Sequence, residues 1–346
     1  MARIFPFRAY RYSEKAGPLG NLITQPYDKI TPEMRTRYLA LSPYNLVRVI
    51  LGERFDADND TDNVYTRAAC HFADWTKSGI LAQEPVPALF TYVQRFRVPD
   101  TGEELERQGF IGLGAVEDYS EGVVHRHEHT LSGPKKDRRE LLRHVHAHFG
   151  QIFMLYPDPK GEIDALLAKT AQAPPLAEVT DELGTENRLW KITDPAQIEA
   201  IRAAMASKKL LIADGHHRYE TALAFRNENP QLEDAGKVMM TFVNMHSPGL
   251  RILATHRLVN GIDTGRLLNT AGTAFKVIDC GTPADLLRIW DKPEPGKIRV
   301  GVAVAGSDRI RLIERERASG ELDVEFLHKR ILDEVLGIGE DAVRNE

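Results

Sequence analysis

The sequence has few cysteines, no long apolar run and no excess of basic residues, and each shortage excludes a class of protein. Cys70 and Cys280 are the two cysteines of the 346-residue chain, and neither belongs to a CxxC pair. A disulfide framework or a zinc ribbon is therefore not indicated. The net charge of −5 gives no general attraction to nucleic acid or to an anionic membrane, so partners of these two kinds are disfavoured.

Neither a membrane-spanning segment nor a signal peptide is indicated. No apolar run approaches the length that crosses a bilayer, and residues 1–8 lack the apolar core of a secretory signal. Apolar residues make up 42% of the chain and charged residues 27%, which is ordinary for a folded globular protein. We therefore expect a soluble, folded protein, and the two isolated cysteines fit the reducing cytoplasm.

Alternating strand and helix patterns predict a mixed α/β fold. Residues 88–98 end with the period-two alternation of a half-buried strand, residues 99–102 form a turn, and residues 108–116 return as the hairpin partner. Residues 238–243 and 251–259 are apolar enough for two further strands. The sheet is thus predicted to be at least partly antiparallel.

The length of the chain predicts two or three packed units, because one core rarely keeps growing at this size. The proline-bearing segment 157–161 indicates a soft boundary, and the pattern changes again beyond Asn260. We predict an N-terminal α+β domain over residues 1–157, a second domain over residues 158–260 packed on it, and a C-terminal α/β unit over residues 261–346.

The most informative segment joins a predicted strand to a predicted helix through a polar turn. Residues 209–213 are apolar enough for a central strand, and from Tyr219 onward apolar residues recur at helical spacing. Between them lies Asp214-Gly215-His216-His217-Arg218. A glycine permits positive φ, and a helix N-terminus carries N–H groups and the positive end of the dipole. The segment therefore predicts an anion-binding site.

Each side chain of this turn suits part of a phosphoryl-transfer site. Arg218 has a planar fork for phosphate, and His216 and His217 add further donors. Asp214 has a carboxylate that suits an acceptor hydroxyl or Mg²⁺. The alternative is that Asp214 caps the helix while the two histidines form local hydrogen bonds.

The turn also resembles a known family motif. Residues 211–222 are similar to the phosphate-binding strand-turn-helix motif of the ParB/sulfiredoxin superfamily, which includes partition-protein CTPases, sulfiredoxins and free-serine kinases. The kinase version, which also has Asp-Gly-His followed by an arginine, matches best. This resemblance implies a nucleotide-binding unit with a mixed sheet, in which Gly215, His216 and Arg218 contact nucleotide phosphates and Asp214 lies near the acceptor hydroxyl or its metal. The kinases also use an upstream glutamate, for which Glu128 is our candidate.

The chain as a whole resembles the bacterial and archaeal family of unknown function numbered 1015, whose name states no activity. The blocks that carry this resemblance are Pro26-Tyr27-Asp28, His127-Glu128-His129-Thr130, Pro134-Lys135-Lys136-Asp137-Arg138, Asp214 to Ala222, and Thr255-His256-Arg257.

Two polar segments lie upstream of the turn. Residues 125–130 place three histidines at alternate positions without the zincin spacing, so we favour a polar active-site loop, with Glu128 as base or Mg²⁺ contact, over a transition-metal site. His129 and Thr130 of this loop are candidate substrate contacts. Lys135 and Arg138 belong to a basic segment that lacks the P-loop pattern, and either clamp nucleotide phosphate or lie on a solvated helix face.

Three further sets of residues leave alternatives open. Asp28 lies in a proline-fixed turn and is either a turn carboxylate or a substrate contact. His256 and Arg257 interrupt an apolar run, so we predict a second donor cluster that faces the Asp214 turn. Residues 136–149 form a predicted basic helix on which His144 and His148 share a face, and surface or interface roles are favoured there over metal binding.

Taken together, these features predict a nucleotide-dependent small-molecule kinase that uses ATP or ADP and Mg²⁺. Asp214, Glu128 and His216 are the candidate catalytic residues, with Asp214 and Glu128 also holding Mg²⁺, and free L-serine is the acceptor that the resemblance favours. We also predict that the polar clusters converge on one cleft between domains. The alternatives are a phosphatase or nucleotide hydrolase with the same anion site, and a ParB-like nucleotide-gated DNA-binding switch, which would need a helix-turn-helix that we do not find.

Overall fold

The chain folds as two compact units, Met1–Ile252 and Leu253–Glu346. The computed structural model describes residues 1–99, 101–127, 132–251, 256–290, 292 and 294–339. The first unit contains a large mixed sheet and the second a smaller antiparallel one, and helices lie between the strands in sequence in both, so the predicted mixed α/β class is confirmed. None of the helices that the structure describes is long and apolar enough to cross a membrane.

The first unit is built from strands and helices that alternate irregularly along the chain. The strands are β1 (Ile4–Phe5), β2 (Tyr10–Tyr12), β3 (Leu81–Gln83), β4 (Leu89–Arg97), β5 (Glu104–Ala115), β6 (Val124–His125), β7 (Ile152–Tyr156), β8 (Ala177–Thr180), β9 (Glu186–Ile192), β10 (Leu210–Asp214) and β11 (Lys237–Asn244). The helices are α1 (Pro32–Leu41), α2 (Val47–Ile50), α3 (Val64–Lys77), α4 (Ser132–Val145), α5 (Glu162–Thr170), α6 (Pro195–Met205) and α7 (His216–Glu228). Short 3₁₀ turns lie at Glu14–Ala16, Leu19–Asn21, Tyr27–Lys29, Tyr119–Glu121 and Glu233–Gly236.

Local sequence signals explain where several helices begin. The Thr31 hydroxyl accepts a hydrogen bond from the Met34 N–H, and Pro32 occupies the first turn of α1. Asn63 caps α3 in a reciprocal box with Thr66. These caps satisfy N–H groups that have no partner inside a helix.

The large sheet of the first unit has nine strands in the order β6-β10-β7-β11-β5-β4-β9-β8, with β1 beside β5. Strand β10 pairs with β6 in parallel and with β7 in antiparallel orientation, and β7 pairs with β11 in parallel. The predicted hairpin is confirmed, because β4 and β5 pair antiparallel with Tyr92 opposite Gly109. Strands β2 and β3 form a separate pair.

The two faces of this sheet have different surroundings. Ile152, Met154 and Tyr156 of β7 are fully buried in the main hydrophobic core, together with Ile163 of α5 and Ile201 of α6. Successive side chains on a strand point to opposite faces. The intervening Phe153 therefore points to the other face, which forms the floor of a large cavity.

The second unit has its own sheet and core. Its elements are α8 (Thr264–Ala274), β12 (Lys276–Gly281), α9 (Pro283–Trp290), β13 (Lys297–Ala303), β14 (Ile310–Glu316) and α10 (Asp323–Glu325), which continues as a π-helix (Phe326–Val335). The three strands pair antiparallel in the order β12-β14-β13. Phe275 and Phe326 are buried and meet edge to face, with ring centroids 5.1 Å apart.

The observed division of the chain lies at residue 252, whereas the sequence suggested divisions at residues 157 and 260. Strands β5 and β11 come from opposite sides of residue 157 and pair over seven residues of one sheet. Of the predicted strand 251–259, residues 252–255 lie outside the described residues, and residues 256–259 have no regular secondary structure.

Candidate functional site

The polar turn between β10 and α7 requires a glycine. Gly215 has a φ of 95°, in the left-handed region, and α7 begins at the next residue. A Cβ atom at this position would lie 3.1 Å from the Cζ atom of Arg218. Glycine is therefore needed both for the backbone conformation and for the space that the guanidinium occupies.

Arg218 ties this turn to the neighbouring strand. Its Nη2 donates to the Asp214 carboxylate, and its Nη1 donates to the backbone carbonyl of Gln151. The Arg218 side chain is 16% exposed, whereas that of Asp214 is 54% exposed. A guanidinium has five N–H groups, so three of them have no partner among the described residues after these two bonds.

His216 packs against His127, which follows β6. It is buried, and its Nε2 accepts a 3.5 Å hydrogen bond from the backbone N–H of His127. The two imidazole rings meet edge to face with centroids 4.6 Å apart, and His127 Nδ1 lies 2.8 Å from the carbonyl oxygen of Ile212. Neither His216 nor His217 is among the residues that line the cavity.

A cavity of about 1020 Å³ lies over the sheet face that carries Asp214. Its floor includes residues of β10, β7, β11, β5, β4, β9 and β8, and its other walls come from residues 19–50, from α4, from residues 147–151 and from α7. The polar residues that line it are Tyr12, Thr24, Gln25, Tyr27, Arg37, Tyr38, Tyr92, Gln94, Arg107, Arg138, His148, Gln151, Thr180, Asp181, Glu182, Thr185, Asn187, Arg188, Asp214, Arg218, Thr221 and Thr241. This volume is at the upper end of the range for small-molecule sites.

Three polar side chains that line the cavity, those of Thr221, Thr241 and His148, have unusual surroundings. Thr221 lies one turn after Arg218 on α7, is 5% exposed, and its hydroxyl has no hydrogen-bond partner within the described part of the chain. The Thr241 hydroxyl bonds to the Gln151 side chain. Burial lowers the pKa of His148 to about 4, so its imidazole is neutral at pH 7. A buried polar group without a partner is a candidate ligand contact.

The two basic candidates of α4 have different positions. Arg138 lines the cavity, donates to Asp137, and has its guanidinium carbon 4.1 Å from the centroid of the Tyr27 ring. Burial raises the pKa of the Tyr27 phenol, which therefore stays neutral. Lys135 does not line the cavity, and its Nζ lies 3.2 Å from the Glu220 carboxylate.

The remaining candidates divide between exposed positions and positions outside the described residues. Asp28 is exposed and does not line the cavity, although the adjacent Tyr27 does. His256 and Arg257 are exposed residues of the second unit. Glu128, His129, Thr130 and Thr255 lie outside the described residues. The polar clusters were predicted to meet at one cleft. Of their described residues, Asp214 and Arg218 line the cavity, and His127 contacts His216.

The residues that the structure describes contain no group of three His, Cys, Asp or Glu side chains that could hold a metal ion. The predicted helix 136–149 is too long, because α4 ends at Val145 and His146 has a φ of 53°. His144 and His148 therefore do not share a helical face. Asp214 is the described member of the predicted Mg²⁺ pair, and its carboxylate bonds to Arg218.

A comparison with protein families places the chain in one of them. The family model described as Protein of unknown function (DUF1015) matches residues 4–330. The chain belongs to this family. A comparison with curated proteins gave no match, and neither did a comparison with solved structures.

In this DUF1015 chain, sequence reasoning missed the cavity wall formed by β4, β5 and β9. Tyr92, Gln94, Arg107 and Asn187 line this wall and are joined by side-chain hydrogen bonds. A signal for them was present, because Tyr92 and Gln94 alternate with other residues of the predicted strand and so share one face. The pairing of Gln94 with Arg107 across β4 and β5 then places both on that face.

Proposed function

We propose that this protein is a nucleotide-dependent kinase that transfers a phosphoryl group from ATP or ADP to the hydroxyl of a small molecule. The observation that carries the proposal is the position of Asp214 and Arg218 on one wall of a cavity of about 1020 Å³. The similarity of residues 211–222 to the free-serine kinase motif supports it. That similarity also favours free L-serine as the acceptor and a ParB/sulfiredoxin-like nucleotide-binding unit.

The phosphate-binding part of the proposal rests on positive charge at the start of α7. The N-terminus of a helix carries a partial positive charge, and the lack of a Cβ at Gly215 leaves the space that the Arg218 guanidinium fills beside it. Arg218 adds a guanidinium with three unused N–H groups, and Arg138 adds a second guanidinium at the cavity wall. These groups would hold the phosphates and balance charge that develops during transfer.

Asp214 is the described residue best placed to act on the acceptor. Its carboxylate is half exposed at the cavity, and a carboxylate attracts a hydroxyl proton but repels phosphate. In the proposed reaction the acceptor oxygen forms a bond to the terminal phosphorus, the bond between this phosphorus and the bridging oxygen breaks, and ADP or AMP leaves. Asp214 orients the acceptor hydroxyl and accepts its proton.

The cavity is large enough for a nucleotide and a small acceptor to be bound side by side, since a cavity of this volume exceeds what one drug-sized ligand needs. Mg²⁺, when bound with the nucleotide, would neutralise charge on the phosphate oxygens. Asp214 is the described carboxylate at the turn that suits it, and phosphate oxygens and water would complete the coordination.

Phosphorus NMR tests the proposal directly. The purified protein is incubated with ATP, ADP or CTP, Mg²⁺ and a set of hydroxyl metabolites that includes L-serine. A new phosphomonoester resonance supports a kinase, whereas free phosphate alone supports a hydrolase. Tight nucleotide binding without turnover would favour the nucleotide-gated switch.

We predict that Asp214→Asn lowers turnover at least about a hundredfold, the lower end for loss of a general base. The melting temperature should change little, because an i,i+4 ion pair whose carboxylate is half exposed contributes about 1 kcal/mol and Asn keeps an acceptor for Arg218. Asp181→Asn is the matched control, since Asp181 also lines the cavity but lies in the segment between β8 and β9. Equal turnover in the two variants would make Asp214 a structural residue.

A further inference from the structure

Arg107 differs from the other described arginines that line the cavity, because none of the described carboxylates forms an ion pair with it. Its Nε and Nη2 donate to Gln94 Oε1 at 3.2 and 2.6 Å. Its guanidinium carbon lies 5.3 Å from the centroid of the Phe96 ring and 5.2 Å from that of Phe153. Among the described residues it forms no ion pair. The partners of this cation are thus one neutral amide and two aromatic rings.

Each of the other four arginines at the cavity has an acidic partner. The pairs are Arg218 with Asp214, Arg138 with Asp137, Arg37 with Glu182, and Arg188 with Glu106. Among the described residues, the hydrogen bonds that lead from Arg107 reach an acid through two amides, because Gln94 donates to Asn187 and Asn187 donates to Asp181. An uncompensated charge removed from water is unfavourable, so a position of this kind suits an anionic ligand.

The side of the Arg107 guanidinium that remains open has the geometry for a carboxylate. Gln94 occupies the edge formed by Nε and Nη2. Three N–H groups therefore remain, all on Nη1 and Nη2, and this end of the fork can donate two parallel hydrogen bonds to a carboxylate. Burial lowers the pKa of Arg107, which agrees with a guanidinium withdrawn from water, although it stays charged at pH 7.

The sheet brings this open fork towards the polar turn. Phe153, against which Arg107 packs, is the register partner of Asp214 in the β7–β10 pair. Register partners lie about 5 Å apart between Cα atoms. Phe153, Arg107, Asp214 and Thr221 all line the same cavity. Arg107 and Asp214 therefore both lie beside Phe153, and a molecule bound across Phe153 would have Arg107 at one end and its other end towards Asp214.

We propose that Arg107 binds the carboxylate of a small hydroxy acid or hydroxy amino acid in this cavity. The assignment rests on the proposed function in that this ligand is the phosphoryl acceptor, with its hydroxyl towards Asp214. Gln94 is then a positioning residue, because it fixes one edge of the guanidinium and leaves the other for the ligand. Binding of the carboxylate itself does not depend on phosphoryl transfer.

The test compares small hydroxy acids with their own amides, which keep the shape and lose the charge. The probes are glycolate, L-lactate, D-glycerate and L-serine, each with its amide, titrated calorimetrically into the full-length protein with and without ADP. For at least one pair we expect the acid to bind the wild-type protein at least tenfold more tightly than the amide. In Arg107→Met, which keeps a flexible side chain between the rings, the two affinities should become equal.

Two further variants make the outcome unambiguous. Arg188→Met removes a charge from the same cavity, but one that Glu106 neutralises at 2.8 Å, so it should keep the preference for the acid. Arg107→Lys keeps the charge and loses the fork, so it should retain part of the preference and serves if the methionine variant does not fold. The assignment is overturned if no acid binds the wild type more tightly than its amide, or if the preference survives in Arg107→Met. Since no turnover is measured, absence of phosphoryl transfer in the NMR experiment would leave this result standing.

Discussion

Arg218 is the side chain on which the proposed phosphate site depends most directly. It holds both the carboxylate of Asp214 and the backbone carbonyl of Gln151, so it is already oriented when a ligand arrives. We expect Arg218→Ala to weaken ATP or ADP binding by about 1.5 to 3 kcal/mol, the range for a hydrogen bond to a charged group. Calorimetric titration of the two proteins measures this difference.

A second arginine of the same cavity provides the comparison for Arg218. Arg37 lines the cavity and pairs with Glu182, so Arg37→Ala removes the same type of side chain away from the turn. Its effect on nucleotide affinity should be clearly smaller. If the two variants bound nucleotide equally well, Arg218 would be part of the fold and not of the binding site.

The residues of the turn could be predicted from the sequence because they are neighbours along the chain. Asp214, Gly215 and Arg218 need only a strand, a turn and a helix to come together, and local patterns indicate all three. The sequence did not show that His216 turns away towards His127, since this depends on the pairing of β6 with β10. Nor did it indicate Arg107, which we propose as a ligand contact because none of the described carboxylates pairs with it.

At the scale of elements, strand β5 is shaped by its glycines. Gly109 pairs with Tyr92 on one side and with Val243 on the other. A Cβ atom at this position would lie 2.3 Å from the backbone oxygen of Phe242, closer than any real contact. We expect Gly109→Ala to destabilise the first unit by at least about 2 kcal/mol, because a backbone clash forces strands apart. Urea unfolding measures the loss.

Gly236→Ala is the control for this strand variant, because a Cβ atom there would have no neighbour within 4 Å. Its free energy of unfolding should differ little from that of the wild type. If Gly109→Ala were as stable as Gly236→Ala, the close approach of β5 and β11 would not be a requirement of the fold.

Sequence patterns located well those elements whose formation depends on residues close together in the sequence. The hairpin of β4 and β5 needs one turn, and α1 needs one cap and one proline. The parallel pairing of β7 with β11 joins segments more than eighty residues apart, and no local pattern specifies it. This pairing is what places Phe153 and Thr241 on one cavity face.

For the molecule as a whole, the cavity lies within the first unit and not between two of the three domains that the sequence suggested. Its lining residues run from Tyr12 to Thr241, all within the first unit. Composition and proline positions indicate where a regular element ends, but they do not show whether the segments on the two sides belong to the same domain. The mixed sheet that spans residue 157 is held together by long-range strand pairs.

The acid stability of the whole protein should depend on His148, which lies at the cavity wall. Burial lowers its pKa from 6.5 to about 4, while in the unfolded chain it titrates near 6.5. As pH falls from about 6.5 towards 4, the unfolded state therefore binds a proton that the folded state does not. The contribution of His148 to stability is therefore constant above this window and decreases as pH falls through it, by up to about 3 kcal/mol.

We expect His148→Gln to remove much of this pH dependence while leaving stability near pH 7 largely unchanged, because the folded wild type carries a neutral imidazole there. Urea unfolding of both proteins at several values between pH 7 and pH 4.5 gives the two slopes. Most carboxylates titrate below this interval, so they contribute little to the difference between them. The imidazole resonances of His148 provide a direct check, and a midpoint near pH 6.5 in the folded protein, or equal slopes in the two proteins, would show that this histidine is not withdrawn from water.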